Sequence, residues 1–148
     1  MWWGLKFRYW AFNNTPNAHE NTHKVLVFLY YHQNDKNRVL QHSLGLDKGL
    51  LTIVHAFASK EQADQNNIII VHEVLHTVGA TDKYDLGGQP IFPKGYAEPD
   101  KKPLYPQTLA EIMSAHVPVS PKDSQMAENL SQCVVGQQTA LEINWAKF

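Results

Sequence analysis

The chain has 148 residues, 43% of them hydrophobic, and its 13 Lys and Arg nearly balance 14 Asp and Glu to give a net charge of −1. This length corresponds to one globular domain with a substantial core, and the near-neutral charge argues against a nucleic-acid partner. The single cysteine, Cys133, excludes an internal disulfide and cannot form a thiolate metal site alone. The sequence shows no signal peptide and no apolar run near the roughly 20 residues that span a membrane.

The opening segment, WWGLKFRYWAF, alternates apolar residues with Lys6 and Arg8. This period-two alternation predicts a half-buried strand. The same density of Trp, Tyr and cations is also typical of a segment beside a membrane, which would make this chain the soluble part of a longer, anchored protein. We adopt the strand as the prediction, and we expect membrane association only if the natural chain extends N-terminally.

Three more strands are predicted before the first long helix. Residues 24–32 (KVLVFLYYH) form an apolar run that predicts a strand buried on both faces. Residues 38–46 and 50–57 predict two further strands, and residues 47–49 (DKG) supply a turn between them. The N-terminal half is therefore predicted to contain a sheet of about four strands.

Residues 68–84, IIIVHEVLHTVGATDKY, contain the pattern H-E-x-x-H from His72 to His76. On a helix this spacing places the two imidazoles one turn apart on the same face, with the carboxylate of Glu73 beside the first. Two such rings can bind zinc at about 2.0–2.1 Å, and Glu73 is left free to accept a proton from water. The pattern therefore predicts a zinc site with a general base.

The residues around this motif support a buried helix. Apolar side chains surround the two histidines in nearly every direction, as in helices that are buried all round. Asn66 or Asn67 would cap a helix that begins at Ile68, and Gly79 would end it in a left-handed conformation. Burying two imidazoles and a carboxylate is costly without a partner, which a metal ion would supply.

The C-terminal half is predicted to be largely irregular. Residues 85–106 hold several Gly and Pro residues, which disfavour helices and strands. Residues 108–113 predict a helical turn, and Ser120 followed by Pro121 is typical of a helix start. A last helix is predicted over residues 137–145.

From His72 to Tyr84 the sequence reads H-E-x-x-H-x-x-G-x-x-D-x-Y, which resembles the metzincin clan of zinc peptidases. Most metzincins have a third His where this chain has Asp82, and Asp followed by x-Tyr is similar to the snapalysin-like branch. The resemblance implies that Asp82 is the third zinc ligand and that Tyr84 lies near the metal, where it would hydrogen-bond an oxyanion. Residues 111–114 (EIMS) resemble the Met-turn that lies beneath the metal, with Met113 as its methionine.

The resemblance implies an α+β, zincin/metzincin-like fold in which a mixed twisted sheet of about four strands covers the active-site helix. The chain would be one catalytic domain, with the sheet and zinc helix in residues 1–79. Residues 80–148 would form an irregular lower part with the Met-turn and a C-terminal helix. The implied activity is that of a zinc-dependent endopeptidase in which Glu73 activates a Zn²⁺-bound water. Residues 41–43 lie where metzincins have the edge strand that pairs with an extended substrate.

Several alternatives remain open at this point. Asp85 or His116 would be substitutes for Asp82 as third ligand. A gluzincin-type site would use Glu111 from a later helix as third ligand. A non-catalytic, zinc-stabilised binding module is the alternative from another class, although a purely structural site has no use for Glu73 and normally has four protein ligands.

We expect a monomer that acts on a peptide or protein substrate and has no nucleic-acid partner. The compartment depends on the natural length of the protein. If this chain is a part of a longer protein, we expect that protein in the cell envelope or outside the cell. Otherwise we expect it in the cytoplasm.

Overall fold

The computed structural model describes residues 24–33, 43–46 and 50–147, together with residues 6, 9–11 and 13. In these parts of the chain, small sheets, helices and irregular segments combine into a mixed α and β structure, in agreement with the α+β class. None of the described helices is both long enough and apolar enough to cross a membrane.

The first sheet has three described strands, β1 (Leu26–His32), β2 (Leu44–Leu46) and β3 (Leu51–Phe57). Their order is β1-β3-β2, with β1 parallel and β2 antiparallel to β3. The central strand buries the side chains of Leu51, Thr52, Val54 and Ala56. These strands confirm that residues 24–32 and 50–57 contain strands, whereas residues 38–42 and the turn at 47–49 lie outside the described residues. The expected burial of β1 on both faces is wrong, because the side chains of Leu29, Tyr30 and Tyr31 are exposed.

The strand predicted for the opening segment is wrong at the residues that the structure describes there. Residues 6, 9–11 and 13 are helical. The ring of Trp10 lies 5.0 Å from the ring of Phe28 on β1, and Ala11 is buried with Leu51 in a small apolar cluster. Packing on the sheet therefore overrides the local alternation, which is a common failure of β-propensity as a guide.

The long helix α1 (Ala63–Thr77) contains the H-E-x-x-H motif. It begins at Ala63 and not at Ile68, so the prediction that Asn66 or Asn67 caps it is wrong. The side chain of Asn66 instead joins the helix to the end of β3, since its Nδ2 donates to the Phe57 carbonyl oxygen at 2.8 Å and its Oδ1 accepts from the Phe57 amide at 3.3 Å.

The helix ends as the sequence predicts, at a glycine in the left-handed region. Gly79 has φ +106°. Its N–H donates to the His76 carbonyl oxygen at 3.1 Å, and the Ala80 N–H donates to the Leu75 carbonyl oxygen at 3.0 Å. These two bonds form a Schellman motif, which satisfies carbonyl groups at the helix end and turns the chain back.

The lower part of the chain is irregular over most of residues 80–109, as predicted. It then forms two small sheets, in which β4 (Ala110–Glu111) pairs with β7 (Cys133–Val134), and β5 (His116–Pro118) pairs with β6 (Ser124–Met126). The helical turn predicted for residues 108–113 is wrong, because residues 110 and 111 pair as a strand.

The end of the chain also departs from the prediction. No helix begins at Ser120. Its Oγ accepts from the amides of Lys122 and Asp123 as a helix cap would, but only within the turn between β5 and β6. The last helix, α2 (Gln137–Glu142), begins where predicted and ends before Trp145.

One apolar cluster joins the long helix to the lower part. It contains the buried side chains Ile68, Leu75, Ala80, Ala110, Ile112, Met113, Ala115 and Ala127. Because α1 contributes one side of this cluster and residues 110–115 the other, the H-E-x-x-H motif lies at the junction of the two parts.

The close approach of β2 to α1 depends on Gly45. A Cβ atom at this position would lie 2.6 Å from the His76 Cβ and 2.7 Å from the Glu73 carbonyl oxygen. We therefore expect Gly45→Ala to lower the free energy of unfolding by about 1–3 kcal/mol, as overpacking does, and thermal unfolding would measure it. As a control, Gly87→Ala would meet only the Asp85 carboxylate at 3.2 Å, and equal destabilisation of both variants would contradict the prediction.

Candidate metal centre

Three side chains predicted as metal ligands converge at one point. His72 and His76 project from α1, and Asp82 follows the turn at Gly79. The Asp82 Oδ1 lies 3.1 Å from the Nε2 of each histidine, and the two Nε2 atoms lie 3.1 Å from one another. The three donor atoms thus form a triangle with equal sides.

The hydrogen bonds of the two rings fix which nitrogen is available. The Nδ1 of His72 lies 3.1 Å from the Ile112 carbonyl oxygen, and the Nδ1 of His76 lies 2.8 Å from that of Ala80. A carbonyl oxygen can only accept, so each Nδ1 carries the proton. In a neutral ring of this kind, Nε2 carries a lone pair directed at the centre of the triangle. Hydrogen bonds from Nδ1 to a carbonyl oxygen orient histidines in the same way in metal sites.

This donor set fits a metal ion. Lone pairs on two nitrogens and a carboxylate oxygen repel one another at such separations unless a positive charge lies between them. A tetrahedral ion with bonds of about 2.0–2.1 Å would hold its donor atoms about 3.3 Å apart, close to the observed 3.1 Å. His72, His76 and Asp82 form the single group of this kind among the residues that the structure describes.

The ionisation of the group follows from its contacts. Burial acts to raise the pKa of Asp82, but the hydrogen bonds and charges of His72 and His76 outweigh burial and hold it far below its usual value. Burial also acts to lower the pKa of His76, and here the bonds to Asp82 and the Ala80 carbonyl oxygen prevail and raise it. The centre therefore favours a negative carboxylate beside a positive charge, which a protonated His76 or a bound cation would provide.

Glu73 lies beside this group and is itself buried. Burial raises the pKa of its carboxyl group, against the opposing effects of His72, His76 and a hydrogen bond from the Gly45 amide. A carboxylate whose pKa is raised is a stronger base toward water than one in solvent. The structure thus places a candidate base next to the candidate metal ligands.

Tyr84 also lies at the centre. Its ring stacks on His72 with centroids 6.2 Å apart, and the charge of the Asp82 carboxylate acts on its hydroxyl group. Burial, together with the charge of Asp82, raises the pKa of Tyr84 to about 12. The hydroxyl group therefore stays protonated at neutral pH and can act as a donor.

A cavity of about 330 Å³ opens beside the centre. Its walls include His72, Glu73 and Tyr84, and they also include Ser43, Ile69 and two further histidines, His55 and His116. A larger cavity of about 750 Å³, between residues 92–100 and α2, contains none of the three clustered donors. The smaller cavity is therefore the one that brings a bound molecule to the candidate base.

The alternative ligands considered from the sequence lie elsewhere. The Oδ1 of Asp85 accepts from the amides of Gly87 and Gln89 within an exposed turn. The Nδ1 of His116 binds the Ser114 carbonyl oxygen at 2.8 Å, and His116 lines the cavity without joining the triangle.

Glu111, the third ligand of the gluzincin alternative, is fully buried among other partners. Its Oε2 accepts from the Met113 amide at 2.6 Å. Its Oε1 accepts from the Thr139 hydroxyl group at 2.6 Å and from the Gly136 amide at 3.2 Å. The carboxylate therefore joins residues 111–114, here called the Met113 turn, to the start of α2. It is not part of the triangle.

Three features of the site could not be found from the sequence. The carbonyl groups of Ile112 and Ala80 leave no side-chain signal. Gly45 contacts Glu73 from a strand that is distant in the sequence. His55 was expected to be an ordinary strand residue, and its place on the cavity wall follows only from the sheet register.

No protein-family model, curated protein or solved structure matches this chain. Its function must therefore be inferred from the geometry of the residues themselves and from the motif that they form.

The two zinc-peptidase alternatives make opposite predictions for Asp82 and Glu111. We expect Asp82→Ala to weaken zinc binding by more than roughly 10–100-fold, the loss that is typical when a residue that only hydrogen-bonds a metal ligand is changed. Glu111→Gln should lower the thermal stability, because buried donors lose an acceptor, yet keep its zinc affinity. Competition with a chelator measures the zinc affinity of both variants. Asp85→Ala is the matched carboxylate control. Zinc loss in Glu111→Gln and retention in Asp82→Ala would contradict the assignment of Asp82.

Proposed function

We propose that this protein is a zinc-dependent endopeptidase of the metzincin type, similar to the snapalysin-like branch. The observation that carries the proposal is the triangle formed by the Nε2 atoms of His72 and His76 and the Asp82 Oδ1, 3.1 Å apart, with the buried Glu73 beside it. Three protein ligands leave a coordination position open, which distinguishes catalytic from structural zinc sites.

The donor set supports zinc over the harder cations. Magnesium and calcium prefer sites made of oxygen atoms, whereas two imidazoles with one carboxylate suit zinc. The same set also holds ferrous iron in oxygenases. The buried Glu73 favours hydrolysis, because a general base has a use in that reaction.

The residues around the centre fit amide hydrolysis. When bound, zinc supplies Lewis-acid chemistry that lowers the pKa of water and polarises a carbonyl oxygen. Glu73 would accept the proton of the attacking water and deliver it to the leaving amine. Tyr84, protonated at neutral pH, would donate a hydrogen bond to the developing oxyanion, a contribution on the order of 3 kcal/mol for one such donor.

The cavity and the sheet indicate how a peptide would bind. Strand β2 is the terminal one of the three described strands on the side of the site, and Ser43, just before it, lines the cavity. An extended peptide would add to β2 as a further strand, a common mode of peptide recognition. Its scissile bond would then lie over Glu73.

Two further features support a metzincin-like fold. The Schellman turn at Gly79 returns the chain toward the two histidines, as the third ligand of that clan requires. Residues 111–114 pass the centre, since the Ile112 carbonyl group binds His72 and the fully buried Met113 packs in the core cluster that includes Leu75. Met113 would thus serve as packing beneath the metal and not as a chemical group.

The first test of this proposal is the metal. We expect about one zinc ion per chain, and we expect His72→Ala and His76→Ala each to remove it, because each variant deletes one vertex of the triangle. Elemental analysis of the purified protein gives both the identity and the amount of metal. His116→Ala, which changes a histidine on the same cavity wall, should keep full occupancy. A full complement of zinc in His72→Ala would overturn the proposal.

The second test is the base. Glu73→Ala should keep the bound metal and the fold, and it should lower the rate of peptide hydrolysis by about 10²–10⁴-fold, the usual contribution of a general base. A peptide library with a mass-spectrometric readout would measure the loss. Asp64→Ala changes an acidic residue in the first turn of the same helix and should retain full activity. Unchanged turnover in Glu73→Ala would mean that another group, or a contaminant, performs the reaction.

A further inference from the structure

We propose that Glu142 of α2, acting through Lys83 and Thr81, is a positioning residue that holds Asp82 in its metal-binding geometry. The inference rests on the proposed metal site and adds to it a role for the C-terminal helix. Asp82 lies between Thr81 and Lys83, and both of these neighbours are bound by Glu142.

Lys83 is a charged residue in the interior, with only 2% of its surface exposed. Its ammonium group has three donors, and all three are used. They bind the Glu142 Oε2 at 2.7 Å, the Thr81 carbonyl oxygen at 2.7 Å and the Thr81 hydroxyl group at 2.8 Å. A buried ammonium group is stable only with such complete pairing, so Lys83 fixes both Glu142 and the peptide group just before Asp82.

Glu142 completes the network from the other side. Its Oε2 also accepts from the Thr81 amide at 2.9 Å, and its Oε1 accepts from the Thr81 hydroxyl group at 3.1 Å. Burial acts to raise the pKa of Glu142, but the bonds from Lys83, Thr81 and Gln138 outweigh burial and lower it. An ionised carboxylate in the last turn opposes the helix dipole, so its placement is explained by Lys83 and Thr81 and not by the stability of α2.

The backbone on both sides of Asp82 is held as well. The Lys83 amide donates to the Met113 carbonyl oxygen at 3.0 Å, and the Lys83 carbonyl oxygen accepts from Ile91 at 2.8 Å. On the other side, the backbone oxygen of Glu142 lies 3.4 Å from the position of a Cβ on Gly79. The short segment that carries Asp82 is therefore enclosed by the end of α1, the Met113 turn and the end of α2.

Such enclosure matters because the Asp82 side chain itself is 44% exposed. A half-exposed carboxylate on an irregular segment would sample many orientations, and binding a metal would require ordering it. The network around Thr81 and Lys83 orders the segment in advance. Loss of this ordering should weaken metal binding by about 10-fold, at the lower end of the effect of outer-shell partners.

The test compares two glutamates in similar surroundings. Glu142→Gln removes the charge that faces Lys83 but keeps the shape of the side chain. Glu98→Gln is the matched control, because Glu98 accepts from the amide and hydroxyl group of Thr108 at 2.7 and 2.8 Å and lies 3.8 Å from Lys101. The measurement is zinc affinity by competition with a chromophoric chelator, on the full chain and below the unfolding temperature of each variant.

We expect Glu142→Gln to bind zinc about 10-fold more weakly than the unaltered chain and Glu98→Gln to bind it within about 2-fold. Thr81→Val deletes the hydroxyl group and keeps the amide, and it should also weaken zinc binding. This variant replaces Glu142→Gln in the test if Glu142→Gln does not fold. By linkage, zinc should slow amide hydrogen exchange in α2 of the unaltered protein, and less so in Glu142→Gln.

The proposal is overturned if folded Glu142→Gln, or folded Thr81→Val in its place, binds zinc as tightly as the unaltered chain. A variant that only loses thermal stability at unchanged affinity has lost a structural contact, and that result also counts against a positioning role. If the unaltered chain binds zinc but hydrolyses no peptide, the proposed function fails and the role of Glu142 stands. If the unaltered chain binds no zinc, both fail together.

Discussion

Two hydrogen bonds from imidazole rings to backbone carbonyl groups orient the histidines of the candidate metal centre. Because Ile112 and Ala80 each accept from an Nδ1, the neutral rings of His72 and His76 present lone pairs through Nε2. These lone pairs meet each other and a carboxylate oxygen at 3.1 Å. A proton on one ring or a bound cation stabilises this arrangement, and much of the surrounding structure keeps these atoms in place.

The two carbonyl groups come from different parts of the fold. Ala80 follows Gly79 in the Schellman motif, so the turn that ends the helix also fixes the orientation of the His76 ring. Ile112 belongs to the lower part, where Glu111 joins the Met113 turn to α2 through buried hydrogen bonds. The centre therefore requires both parts to be folded together, and the apolar cluster that includes Leu75 and Met113 is the contact that joins them.

The sequence was informative where the site is local and uninformative where it depends on distant contacts. Only ten positions separate His72 from Asp82, so helix periodicity and one glycine are sufficient to bring the three candidate ligands together. The opening segment was wrongly predicted as a strand, because its alternation is local and its packing against Phe28 is not. Gly45 and Glu142 were missed for the same reason, since neither carries a motif and both act through contacts with residues far along the chain.

Charge balance explains how so many polar groups tolerate the interior. Glu73 and Asp82 place two carboxylates beside two imidazoles, and a divalent cation would neutralise the two negative charges. Lys83 and Glu142 form a second balanced pair immediately behind Asp82. Each group is costly to bury alone, and each offsets the cost of its neighbour. The ion pair thus lies directly behind the candidate metal centre, and the backbone that it holds carries Asp82 with its Oδ1 directed at the two histidines.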